Sequence, residues 1–385
     1  MDALVVYGLD PSYYTGKLEG YLRYKEIPYR RVDVTSAAFR NVFRQTGLLK
    51  MPAVELPDGR WLTDTTPIIE WLETQHPEPA VIPSDPVQAI ASRLVEDYAD
   101  EWLWRPAMHY RWTYDGELMS GRLAEELLRD VWAPLWLRRR FIRRRQYRYF
   151  VPGDGVTPET RAHVERIYTD NLARLEAILA ERPFLLGERP TLADFGFFAS
   201  MFRHFGIDPT PARIMRDTAP GVYAWVARVW NARASRLGAG ALAPAGTVPE
   251  SWAPILADIG SVYLPYLNAN AAAYARGADR FDTVVQGVTY RQLPTSQYRV
   301  WCLEELRRHV AALPDDARAR VQAELERHGA WAPLWAAGAL RSSWNPDGLA
   351  PFARPPRLDR ATRRQVARFG TMWGRPGSGS ALGPP

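Results

Sequence analysis

Apolar residues open the chain as a short unbroken run, Leu4, Val5, Val6 and Tyr7, which predicts a buried strand. A turn at Asp10, Pro11 and Ser12 leads into residues 17–25, where Leu18, Tyr21, Leu22 and Ile27 recur near helical spacing. Residues 29–34 alternate as a strand does, and 39–46 read as a short helix closed by Gly47. Residues 53–56 and 61–62 flank Pro57, Asp58 and Gly59, a tight-turn signal that predicts a hairpin. Residues 67–74 predict a helix with Pro67 in its first turn and Thr66 as its N-cap. Beyond a Pro-rich stretch at 76–86 the period lengthens. Asp85 and Pro86 open a helix in which Ile90, Leu94, Tyr98 and Trp102 recur every four residues as one wide apolar stripe. Further helices are predicted from Thr157, Pro190 and Pro220. A Gly/Ala/Pro-rich segment at 238–249 precedes a helix near 251–276, a hairpin at 281–292, and helices at 295–313 and 315–327.

The first order, β-α-β-α-β-β-α, implies a parallel pair with a crossover helix and an antiparallel hairpin, which resembles a thioredoxin-like arrangement. The expected organisation is an α/β thioredoxin-like domain at 1–78 and an all-helical domain at 86–237. A mostly helical extension at 250–344 and a disordered tail at 345–385 follow.

Composition narrows the function classes. The 46% hydrophobic and 24% charged fractions are those of a globular chain. No run approaches the roughly 18 apolar residues of a membrane span, so no span is expected. The first residues carry no basic region or cleavage signal, and no signal peptide is expected. The single cysteine, Cys302, excludes an internal disulfide framework and a multi-cysteine metal site, which fits a reducing cytoplasm. Cys302 stands at helical spacing from Tyr298 and Leu306, as a core residue or as a nucleophile. The six histidines show no metal-ligand spacing, and no metal is expected.

The formal net charge is +6, and lysine occurs only at 17, 25 and 50. Arg138, Arg139, Arg140, Arg143, Arg144, Arg145 and Arg148 form one dense run. It reads as a solvated helix face or loop, or as an anion or nucleic-acid patch; Phe141, Tyr147, Tyr149 and Phe150 suit base stacking and packing equally. Nucleic acid is the less favoured partner. Trp102, Trp104, Trp112, Trp132 and Trp136 suit a helix-packing core or the lining of an apolar pocket.

Three distant segments converge in a thioredoxin-like fold. Ser12, Tyr13, Tyr14 and Thr15 lie between the first strand and helix, where a redox cysteine pair would sit; hydroxyls there exclude dithiol exchange through this segment. A hydroxyl can instead donate to a thiolate beside the positive end of a helix. Met51 and Pro52 precede a strand, where the fold places a cis-proline whose neighbour's backbone faces a peptide ligand. Asp64 and Thr65 begin a helix, where they can cap it or hold the charged ends of a γ-glutamyl group.

With these segments on hand, the sequence resembles the bacterial branch of the glutathione S-transferase superfamily. Ser12 to Glu19 resembles its active-site loop and first helix, and Lys50 to Val54 its cis-proline segment. Asp64 to Ile69 resembles its acidic-hydroxyl helix start, with Asp and Thr where Glu and Ser are more usual. Phe184 to Gly187 with Pro190 to Phe195 resembles its buried capping box, Thr191 with Asp194. The resemblance covers residues 1 to about 236. It implies glutathione as co-substrate, Ser12 as the thiolate-stabilising residue and Tyr7, Tyr13, Tyr14 and Thr15 as rival hydroxyls. It further implies Lys50, Met51, Pro52, Asp64 and Thr65 as glutathione-binding residues, and a homodimer. Trp102, Trp104 and Tyr110 are the expected lining of a pocket for a small apolar electrophile. Lowering a thiol from about 8.5 towards 7 takes about 2 kcal/mol. A hydrogen bond to a charged group supplies about 1.5–3 and a helix end about 0.3–1. The rival from another class is a non-catalytic binding or assembly module on the same fold; glutathione-dependent isomerisation or dehalogenation would begin from the same thiolate.

Overall fold

The computed structural model describes residues 3–354. Strands β1 (Leu4–Gly8) and β2 (Tyr29–Asp33) run parallel, with Leu4 opposite Tyr29, and are joined by helix α1 (Tyr13–Tyr24). Helix α2 (Ser36–Thr46) leads to β3 (Ala53–Glu55), which pairs antiparallel with β1 and with β4 (Trp61–Thr63); α3 (Thr65–Gln75) follows. This is the thioredoxin-like arrangement. Its caps are local: Thr35 Oγ1 accepts from Ala38 N–H at 3.2 Å, and Gly47 closes α2 at φ 74°, where a side chain would be strained.

Of the two starts that the sequence offers for helix α3, the earlier is adopted. Asp64, not Thr66, is the N-cap residue, and Thr66 lies inside the first turn. The hydroxyl of Thr66 is spent elsewhere: it donates to the Glu96 carboxylate and accepts from Lys17 Nζ at 3.1 Å.

The second unit is all-helical: α4 (Pro86–Glu101), α5 (Trp104–His109), α6 (Gly116–Glu126), α7 (Leu135–Phe150), α8 (Arg161–Glu181), α9 (Leu192–Arg203), α10 (Pro209–Thr218), α11 (Pro220–Asn231) and α12 (Ala234–Leu237). Asp85 Oδ1 caps α4 by accepting from Val87 and Gln88 N–H at 3.0 and 3.1 Å. Thr191 and Asp194 form a capping box at the start of α9, with Asp194 Oδ2 accepting from Thr191 N–H at 2.9 Å. Its other oxygen accepts from Leu185 N–H and Trp225 Nε1, so one carboxylate ties three segments. Helices α4 and α9 meet at Gly196, where a Cβ would stand 2.7 Å from the Glu96 backbone.

The third unit packs on α4. The expected long helix near 251–276 is divided into α13 (Ala253–Asp258) and α14 (Leu264–Ala275) by a wider π-turn, Ile259–Tyr263. Gly260 in that turn lies against the backbone of Gly329, and a Cβ would sit 2.6 Å from its carbonyl oxygen. Hairpin strands β5 (Arg280–Val285) and β6 (Val288–Pro294), then α15 (Gln297–Ala311), α16 (Asp315–Arg327) and α17 (Trp331–Trp335) complete it. The segment expected to be irregular from 345 instead supplies β7 (Phe352–Ala353), which pairs antiparallel with β4 and extends the first sheet to the order β2-β1-β3-β4-β7. Phe352 holds it there, edge-on to Trp71 at 5.5 Å and beneath the Arg60 guanidinium. The expected disorder of 355–385 lies outside the described residues.

Helix α4 carries four acids within its last turns, Glu96, Asp97, Asp100 and Glu101, and each has a separate task. Glu96 and Asp100 enclose the fully buried Lys17 ammonium of α1. Asp97 accepts from Tyr263 Oη at 2.6 Å, and Glu101 from Arg299 Nε at 3.0 Å. One helix thus fastens the first unit on one side and the third on the other.

Candidate functional site

Two arginines fix the loop before α1. Arg111 Nη1 donates to Pro11 O at 2.6 Å while its other nitrogens hold Asp208, and Arg203 Nη1 donates to Asp10 O at 2.9 Å. Ser12 follows as the N-cap residue of α1, its Oγ accepting from Thr15 N–H at 3.3 Å. Its O–H proton has no acceptor among the described residues, and the residue is half-buried. The first turn of α1 carries no acid, so its positive end is uncompensated.

The rival tyrosine hydroxyls are committed. Tyr7 Oη donates to Glu55 at 2.9 Å, Tyr13 Oη to Ala99 O, and Tyr14 Oη to Asp100 O at 3.1 Å. Burial raises the pKa of all three, and in Tyr7 the Glu55 carboxylate adds to it. Thr15 Oγ1 has no hydrogen-bond partner among the described residues, but it is fully buried under Gly8, where a Cβ would approach it to 2.6 Å, and is closed to a ligand.

The Met51–Pro52 bond is cis. Neither the N–H nor the C=O of Met51 is hydrogen-bonded among the described residues. Asp64 holds φ 73° and ψ 115°, a conformation costly for a residue with a side chain, and Thr65 is buried behind it.

The sequence does not foretell what lies over Asp64 and Lys50. Tyr298 of α15 donates its hydroxyl to Asp64 Oδ1 at 3.2 Å. The Lys50 ammonium rests on the rings of Tyr298 and Trp344, 4.4 Å from each centroid. Burial lowers the pKa of Lys50 and raises that of Asp64, while each charge opposes the shift of the other. Two of the five expected glutathione-binding side chains are therefore already engaged by the third unit. A signal was present for Lys50: lysine is rare in this arginine-rich chain, and of its three lysines Lys17 and Lys25, the latter beside Glu73 at 2.9 Å, are buried while Lys50 is half-buried.

The expected pocket residues are not brought together. Trp104 lies beside the Ser12 loop, stacked on Tyr14 at 6.0 Å and edge-on to Tyr13 at 5.7 Å. Trp102 turns to Tyr266 and Arg105, and Tyr110 to Tyr168 and Phe205. All three are buried in helix packing. Of the other tryptophans in the set, Trp112 is buried, whereas Trp132 and Trp136 are 101% and 66% exposed, neither core nor pocket. Cys302 is buried, and burial raises the pKa of its thiol, which fits the core reading. Among the described residues no group of three or more His, Cys, Asp or Glu side chains is placed to hold a metal ion, and no helix is long and apolar enough to cross a membrane.

Residues 11–75 match the family model of the glutathione S-transferase N-terminal domain, and residues 149–232 that of the C-terminal domain. These two segments carry the N-terminal and C-terminal domains of the glutathione S-transferase superfamily. Solved members similar to the chain include a glutathione S-transferase of Methylobacterium radiotolerans in complex with glutathione sulfonate, 22% identical, covering 59% of this chain and 90% of that one with a TM-score of 0.37. Another, from Methylobacillus flagellatus with glutathione bound, is 20% identical over 59% and 94% at 0.39. The β-etherase LigF of a Sphingobium strain is 21% identical over 59% and 95% at 0.40. The superfamily matches end at residue 232, so the third unit, including Tyr298 and Trp344, lies outside them.

Proposed function

We propose that the protein is a glutathione-dependent transferase in which Ser12 stabilises the thiolate of bound glutathione. The observation that carries this reading is the uncommitted proton of Ser12 at the positive end of α1, amid tyrosines whose protons are all given away. The unpaired backbone of Met51 would meet the peptide of glutathione, and Asp64 and Thr65 at the start of α3 would meet its γ-glutamyl end. The thiol loses its proton to solvent, and the sulfur accepts the Ser12 hydrogen bond. It then forms a carbon–sulfur bond with an electrophilic small molecule while the leaving group departs with the electron pair. A small apolar electrophile is the substrate class that the family resemblance suggests. Conjugation, isomerisation and dehalogenation share this first step. A homodimer is the assembly that the same resemblance implies; the β4 edge is occupied by β7, so pairing would use another face.

Ser12→Ala tests the role. Bound glutathione should lose its thiolate absorbance at neutral pH, and turnover with a model electrophile should fall at least about a hundredfold. Unchanged absorbance and turnover would remove Ser12 from the mechanism.

A second reading is a non-catalytic module whose groove is filled by its own chain. It is favoured by the seating of Tyr298 and Trp344 over Asp64 and Lys50. Calorimetry separates the two: no heat with millimolar glutathione, either in the native chain or in Tyr298→Ala, would establish the module.

A further inference from the structure

We propose that the α6–α7 corner is a membrane-surface docking site that recognises anionic lipid. Helix α7 is the arginine-rich run, 16 residues with only Ile142 and Phe150 buried. From Val131 to Gly153 the chain holds no acidic residue. Glu117 is committed to Arg139 and Arg143, and Asp130 to the Ser36 and Ala37 amides at 3.2 and 2.7 Å. Arg140, Arg144 and Arg148, at four-residue spacing on one side of α7, have no hydrogen-bond or ion-pair partner among the described residues. Positive charge therefore stands uncompensated along the helix.

The apolar part is equally specific. Immediately before and at the start of α7, Val131, Leu135 and Leu137 are exposed beside the fully exposed Trp132 and the largely exposed Trp136. A soluble surface seldom leaves two tryptophans and three aliphatic side chains contiguous in water. Indole rings and arginines are the residues that settle at the boundary between headgroups and acyl chains. The exposed rings of Trp132, Trp136 and Tyr147 suit bases as well as lipid, but Val131, Leu135 and Leu137 cannot stack on bases, so the corner favours a lipid surface over nucleic acid. Its uniform charge also opposes a second copy of the same face.

The full chain should float with phosphatidylcholine vesicles containing about a third phosphatidylglycerol, and remain unbound with phosphatidylcholine alone, in 0.15 M salt. At about fivefold per arginine, Arg140→Glu, Arg144→Glu and Arg148→Glu together should weaken binding at least about a hundredfold. Trp132→Ala with Trp136→Ala should weaken it at least about tenfold, and brominated lipid should quench the native emission. Both tryptophans are exposed, so circular dichroism of these variants should be unchanged. Three outcomes overturn the proposal: no flotation, flotation that survives loss of the two tryptophans, or tighter binding to a single-stranded oligonucleotide than to the vesicles.

Discussion

Tyr298 and Asp64, 234 residues apart in sequence, are joined by a hydrogen bond of 3.2 Å, and the same tyrosine ring carries the Lys50 ammonium. The third unit therefore occupies polar groups that a γ-glutamyl ligand would need. A hydrogen bond to a charged group is worth about 1.5–3 kcal/mol, or roughly tenfold to a hundredfold in affinity. Tyr298→Ala should tighten the calorimetric dissociation constant for glutathione at least about tenfold, and Tyr298→Phe should give part of that gain. An unchanged constant in both would show that the ring does not compete with the ligand.

Lys17 is the buried cation on which α1, α3 and α4 converge. Replacing it by methionine keeps the length of the side chain but leaves Glu96 and Asp100 as neighbouring unpaired carboxylates. Breaking a buried pair this way costs about 3–5 kcal/mol. Lys17→Met should lower stability by that amount in urea unfolding at pH 7. The loss should shrink at pH 5, because the unpaired carboxyls take up protons more readily in the folded chain. An equal loss at both pH values would show that packing, not charge, dominates.

Asp97 behaves in the opposite sense to a salt-bridged acid. Burial raises its pKa to about 7 despite the hydrogen bond from Tyr263, and Glu96 and Glu101 add to the rise. In the unfolded chain an aspartate ionises near 4. Between about pH 4 and 7 the folded state holds the extra proton, so stability falls as pH rises through that window, by at most about 1.4 kcal/mol per pH unit. Asp97→Asn should therefore stabilise the protein at pH 7, give no gain at pH 4 and flatten the profile between. Thermal unfolding across that range is the measurement.

The sequence made the element order of the first unit legible because each element there is set by neighbours in the chain. The apolar run at Leu4, the turn residues at 57–59 and the Asp85–Pro86 cap all act within a few residues. The place of Ser12 at the start of α1 was readable for the same reason, since a helix start is a local property. Tyr298 was not, because its meaning depends on where α15 lies against α3. Thr66 was misread as a cap because its competing partner, Glu96, is 30 residues away. The tryptophans show the same limit: Trp102 and Trp132 are one residue type with opposite fates, decided by which helix face meets a neighbour.

The edge strand β7 closes the sheet of the first unit with residues 352 and 353. During synthesis the outer edge of β4 must wait, unpaired, while nearly 290 further residues leave the ribosome. A polypeptide stopped short of Phe352 would keep every group around Ser12 and yet display a bare edge. Premature termination near its end should thus show itself as self-association before it shows itself as lost chemistry.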